Sequence, residues 1–247
     1  MEAILAEVTN LILPGVTHWN HPGFFAYFGS SGSGPGILGE VLCAALSVNA
    51  MLWRTSPAAT ELEELALEWL RQMMALPAGF SGHIQDTAST STLVAIATAR
   101  EATGLGIRDE GMAGRDLPGL RLYCSEEAHS SVEKAAIVLG IGRRGLRRVR
   151  TDDDYRMDAE ALAEAIAADR AAGLHPFCVV ASIGTTSTTS IDPLPDIACT
   201  RRSRAPVGRA SPKEERLAAA RRLGARRPGA RARPAPPRPP APAACAA

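Results

Sequence analysis

Between residues 83 and 198, short strand-like runs alternate with segments of helical periodicity, and this constrains the fold more than any other feature. Residues 120–124, 146–150 and 177–183 read as strands, the last flanked by Pro176 and Gly184. Helices are expected over about 89–103, 130–139 and 158–172, with Asp158 as the cap of the third. Strands separated by helices predict a layered α/β domain around a mostly parallel sheet. No repeat of solenoid length is visible.

The first 82 residues have a different character. Residues 2–13 read as a short amphipathic helix that stops at Pro14-Gly15. Residues 17–36 are rich in glycine, serine and aromatics and read as loop. Helices are expected over about 37–53 and 57–76, the second with Ser56 as N-cap and Pro57 at its first position. Leu62, Leu65, Trp69 and Met73 give that helix an apolar stripe, widened by Leu70. Three regions follow: an N-terminal helical and aromatic-loop segment (1–82), a partial α/β domain (83–198) and a tail (199–247).

The net charge of +1 conceals an asymmetry. Residues 1–199 carry 14 Lys and Arg against 24 Asp and Glu, whereas residues 200–247 carry 13 against 2. The tail also holds nine of the eighteen prolines and no aromatic residue. Such a segment buries too little apolar area to offset its ordering entropy, so disorder is expected, apart from a short helix at about 212–223. Without aromatic stacking platforms or a recognisable module, the arginines argue weakly for nucleic acid, which is not expected as a partner. Five cysteines without C-x-x-C spacing suggest a reduced, cytoplasmic protein with no metal site. The N-terminus lacks the basic residues of a secretory signal, and no apolar run is long enough to span a membrane.

Three polar constellations sit where an α/β domain gathers ligands. Gln85-Asp86-Thr87-Ala88-Ser89-Thr90 leads into a helix, where free amides and small hydroxyls can cradle a phosphate. An ordinary capped helix start reads the same way, and Asp86 opposes an anion unless it faces away. Ser125 to Ser131 follows a strand and contains His129, which can stack on a planar ring or move a proton. A surface turn has the same pattern. Residues 183–193 follow the last apolar strand with a run of hydroxyls, equally readable as a polar turn begun by Asp192. Three such segments at successive strand ends would converge on one crevice, and that carries more weight than any one of them.

The chain resembles the group II pyridoxal-phosphate-dependent decarboxylases, the family of aromatic-L-amino-acid decarboxylase. The resemblance is carried by PGVTHWNHPGFFAYF at 14–28, SPAATELE at 56–63, IQDTASTSTLVA at 84–95, AHSSVEKA at 128–135 and GTTSTTSIDPL at 184–194, and it covers roughly residues 8–198. It implies a fold-type I, aspartate-aminotransferase-like large domain, generally in a homodimer with its active site at the subunit interface. It also implies pyridoxal 5'-phosphate as cofactor and decarboxylation of an amino acid, with a leaning toward aromatic ones. By this resemblance Ala88 and Ser89 bind the cofactor phosphate. His129 stacks on the pyridine ring and takes part in protonation, and Thr186 contacts the cofactor. Thr60 lies near the substrate carboxylate, while Trp19 and the Phe24–Phe28 run, Phe25 included, form an aromatic wall.

The resemblance also implies a later aspartate paired with the pyridine nitrogen and a lysine that anchors the cofactor. The chain has two lysines, Lys134 and Lys213, and neither lies in the expected H-K context. From about residue 199 the sequence turns to Arg, Ala and Pro, which suggests a shifted reading frame or a misassembled gene. On that reading the large domain is incomplete, the strand edge near 177–183 is uncovered, and solubility is poor without a partner. The chain by itself would be inactive. The competing function is a non-catalytic remnant that binds a partner or dimerises.

Overall fold

The computed structural model describes residues 1–27 and 32–202, the side chains of Arg201 and Arg202 excepted. Phe28 and the tail from residue 203 onward, with the helix expected at 212–223, lie outside the described residues. The sheet is parallel, as the strand–helix alternation requires, and is ordered β2-β1-β3. β1 is Leu120–Ser125, β2 is Leu146–Val149 and β3 is His175–Val180. Leu122 pairs with Leu146 on one side and with Cys178 on the other. Among the described residues, β3 is paired only to β1.

β1 is central and buried on both faces along nearly its whole length, Arg121 alone being only partly buried. Leu122 and Cys124 point to a cluster formed with Ile96, Val132, Ala135 and Ala136. Those residues lie on α4 (Ala88–Glu101) and α6 (Ser131–Val138). Tyr123 points to the opposite face, packing with Leu162, Ala165 and Ile166 of α7 (Ala159–Ala171). Helices therefore cover both faces. Burial in this core raises the Cys124 thiol from 9.0 to about 11, which keeps it protonated at neutral pH.

The second face contains a charged network. Asp169 of α7 accepts from the Tyr123 hydroxyl at 2.7 Å and from Arg147 at 2.8 Å, and Arg121 Nε lies 3.6 Å away. Burial first, and then the Asp169 hydrogen bond, pushes the Tyr123 phenol well above its ordinary value. A phenol raised in the folded state contributes stability fully below its unfolded value of about 10, and that contribution is lost as pH rises further. Tyr123→Phe is therefore expected to flatten the alkaline limb of a stability–pH curve above about pH 10. An unchanged limb would count against the network.

Several boundaries differ from expectation, each for a local reason. α1 (Glu2–Glu7) continues into a π turn, Val8–Ile12, and a 3-10 turn, Leu13–Gly15, ending at the expected place. α2 spans Gly34–Leu46 rather than 37–53. Ser33 Oγ caps it early by accepting from Gly36 N, and Ser47 closes it in the left-handed region at φ 49°. Thr55 then bonds the carbonyls of Asn49 and Leu52, holding the chain in a turn. α3 (Pro57–Met73) stops short of 76 because Ala75 adopts φ 53°. Ser56 stands at its N-cap without a side-chain cap bond.

β3 begins and ends earlier than 177–183. His175 N already bonds Gly119 O, and beyond Val180 the Ser182 amide turns to a carboxylate. Helices α5 (Ile107–Glu110) and α8 (Leu194–Arg202) were not expected. No described helix is long and apolar enough to cross a membrane.

Candidate cofactor site at the sheet edge

Because the strands are parallel, the segments after β1 and β3 emerge at one edge of the sheet. α6 starts at that edge with Ser131. α4 runs alongside α6: Leu93 and Ile96 pack against Val132 and Ala135, and Arg100 near its end bonds Leu139 O at 3.0 Å. The first turn of α4 therefore lies toward the same edge. α4 has 14 residues against 8 in α6, so its start projects about 9 Å farther at 1.5 Å per residue. This topology brings Ala88, Ser89, His129 and Thr186 to a common edge.

Each has a definite local setting. Thr87 is the N-cap of α4, accepting from Thr90 N at 3.1 Å, and its carbonyl accepts from Ser91 N. The amides of Ala88 and Ser89 have no intrahelical acceptor, and both residues are exposed. His129 Nδ1 accepts from Ser131 N at 3.2 Å and lies 3.0 Å from Ser131 Oγ. This fixes the ring at the start of α6, and in the neutral imidazole it leaves the proton on Nε2. Ser125 Oγ, at the end of β1, is buried with no hydrogen-bond partner.

The segment after β3 is a tight loop closed by an antiparallel bridge between Ile183 and Ile191. Gly184 N and Thr185 N both bond Ser190 O. Thr185 is buried, its hydroxyl 2.6 Å from Thr188 Oγ1 and 3.2 Å from Ser190 Oγ. Thr186 is left on the exposed side. The base of the loop is held by Asp192, 2% exposed, which accepts from Met157 N at 2.8 Å and Ser182 N at 2.7 Å. In sequence, Asp192 reads as the start of a polar turn on one of two alternatives. Its one visible cue was a lone acid between apolar Ile191 and Pro193.

The residues expected on the substrate side are placed differently. Thr60 lies in the first turn of α3, half-buried, with its hydroxyl on Ser56 O at 3.1 Å. Trp19 stacks on Phe24 and Tyr27, with ring centroids at 5.1 and 5.6 Å. Phe25 is 94% exposed and takes no part in that stack. No ring contact joins these aromatics to the sheet edge among the described residues.

An open parallel α/β sheet with a helix N-terminus, a fixed imidazole and a hydroxyl loop at its carboxyl edge defines a phosphate-and-ring binding class of domain. Residues 1–203 match the pyridoxal-dependent decarboxylase conserved domain, and the chain belongs to that family, whose cofactor is pyridoxal phosphate. The chain is similar to aromatic-L-amino-acid decarboxylase of Bos taurus, with 42% identity over 207 residues, covering 79% of this chain and 42% of the relative. It superposes on Oryza sativa TDC crystallised with PLP and tryptamine at a TM-score of 0.75 and 36% identity, over 81% of this chain and 42% of that one. Against Rhodiola rosea 4-hydroxyphenylacetaldehyde synthase the TM-score is 0.74 at 36% identity, over 82% and 44%. The chain thus spans about two fifths of the length of the curated relative it matches. These neighbours bear out the expected fold type I.

Proposed function

We propose that this chain carries the phosphate-and-ring side of a pyridoxal 5'-phosphate site for the decarboxylation of an aromatic L-amino acid. The observation that carries the reading is the common sheet edge shared by the α4 first turn, His129 and the loop bearing Thr186. The residues present fit the phosphate end of the cofactor: two free amides, exposed hydroxyls and no competing side-chain cap at Ala88 and Ser89. The orphaned Ser125 hydroxyl leaves hydrogen-bonding capacity at the same strand end. Among the described residues Lys134 is the only lysine, exposed on α6, so the cofactor contacts assigned here are non-covalent ones.

Pyridoxal phosphate, when bound, supplies an electron sink for the bond between the substrate Cα and its carboxylate. The protein's part is to hold and orient. Ala88 N and Ser89 N donate to phosphate oxygens, with the α4 dipole favouring the negative charge. His129, fixed through Nδ1, offers its ring face to the pyridine and holds a proton on Nε2. Thr186 supplies a hydroxyl from the facing loop. Thr60 is assigned to the substrate carboxylate, and the Trp19 stack and Phe25 to the aromatic side chain, on the strength of the family resemblance. The names of the relatives support an aromatic substrate. Both an amine-forming and an aldehyde-forming relative match equally well. A homodimer is proposed in addition, supported by the exposed α2 face of Ile37, Leu38, Val41 and Leu42.

Titration with pyridoxal phosphate and with pyridoxal tests the reading. The phosphate ester is expected to bind at least about tenfold more tightly, and Ser89→Asp to remove that preference by placing like charge in the cradle. Equal binding of both ligands, or an unaffected Ser89→Asp variant, would remove the basis of the assignment.

A further inference from the structure

We propose that Glu63 is a positioning residue that holds the amino-acid side of the site in register with the phosphate side. This deepens the functional reading above and rests on it. Glu63 Oε1 accepts from Ile84 N at 3.0 Å, across 21 residues of chain. The same oxygen lies 3.1 Å from His83 Nδ1. The Ile84 bond fastens α3 to the segment that enters the phosphate turn, with His83 beside it, since Ile84 stands three residues before Thr87, the cap of α4.

The approach is close as well as bonded. Leu67, one turn beyond Glu63 on α3, packs onto Gly82 so tightly that a Cβ there would come within 2.8 Å of Leu67 Cδ2. A larger residue at 82 would have to displace the end of the Leu67 side chain, so the two segments are in direct contact there. Thr60, Glu63 and Leu67 recur at three-to-four spacing and so share one face of the helix. The face that carries Thr60 is therefore the face clamped onto residues 82–84. A shift or rotation of α3 would change the separation between Thr60 and Ser89, the two ends between which a cofactor-linked amino acid must fit. Glu63 sets that separation without being assigned any contact to ligand.

The test compares two ligands on the full chain: pyridoxal phosphate, which needs the phosphate cradle, and phosphopyridoxyl-L-tyrosine, the reduced adduct, which also carries a substrate carboxylate. Glu63→Ala is expected to weaken the adduct about tenfold and pyridoxal phosphate by less than about twofold. Glu63→Gln keeps an oxygen for Ile84 N and is expected to restore adduct binding to within about threefold of wild type. Circular dichroism of both variants should match wild type. Equal losses for the two ligands, no loss, or failure of glutamine to rescue would overturn the proposal. Failure of the wild-type chain to bind pyridoxal phosphate would overturn the reading of the site itself, and this proposal with it.

Discussion

Asp169→Ala is expected to destabilise the chain by about 3–5 kcal/mol, the range for removing one partner of a buried charge network. The carboxylate is 5% exposed and serves three groups, Tyr123, Arg147 and Arg121. Its removal strands the Tyr123 hydroxyl, which is fully buried, and leaves Arg121 Nε with no nearby anion, where it already lacks a hydrogen bond. Arg147 is 39% exposed and can turn to water, so the lower half of the range is favoured. Because domains of this size are stable by only about 5–15 kcal/mol, the variant should be largely unfolded at modest urea concentration. Tyr123→Phe removes the other member of the short bond and is expected to be far milder, since it strands no charge. Urea denaturation of the two variants checks this, and an Asp169→Ala midpoint within error of wild type would refute the structural role.

Asp192→Ala is expected to lower stability by about 3 kcal/mol and to weaken pyridoxal phosphate binding with it. Both carboxylate oxygens accept from backbone amides, one before α7 and one after β3. Alanine leaves two donors without acceptors in a buried place, and each such loss is worth about 1–3 kcal/mol. The bridge between Ile183 and Ile191 would lose its anchor, and the Thr185–Thr188–Ser190 hydroxyl cluster its fixed base. Asparagine should recover less than half of the loss, because its amide nitrogen would face a backbone N–H. Amide exchange at Ser182 and Met157 reads the effect directly. Unchanged protection at both amides in Asp192→Ala would show that the carboxylate does not hold the loop.

Much of the fold was legible because its determinants are local. Asp158 caps α7 with the expected side-chain bond, whereas Ser56, the other expected cap, stands at the start of α3 without one, and Thr87 caps α4. All three expected runs became strands, although β2 is Leu-Arg-Arg-Val and only the last run is free of arginine; their alternation with helices was the readable signal. What escaped was non-local. Asp169 and Tyr123 are 46 residues apart, and Asp192 and Met157 are 35 apart, so neither partnership leaves a mark in periodicity. α2 was misplaced because Gly34, Pro35 and Gly36 have poor helix propensity, and a single serine cap overrides them. His129 and Thr186 were visible as polar segments after strands, whereas Ala88 and Ser89 open α4 with no described strand ahead of them, and the roles of all four were implied by the family resemblance. Their common edge depended on a parallel sheet and on α4 lying beside α6. The aromatic residues near the N-terminus could be found, and Trp19 stacks on Phe24 and Tyr27 of the expected run, with Phe25 outside that stack.

A crystal structure of this chain grown with pyridoxal phosphate would reveal whether its first helix turn after Thr87, the imidazole ahead of α6 and the hydroxyl loop beyond β3 form a single receptacle. The phosphate should then accept from the amides of Ala88 and Ser89, with the pyridine ring over His129 and Thr186 across from it. Electron density for the ligand at any other place, or none at a saturating concentration, would contradict the account.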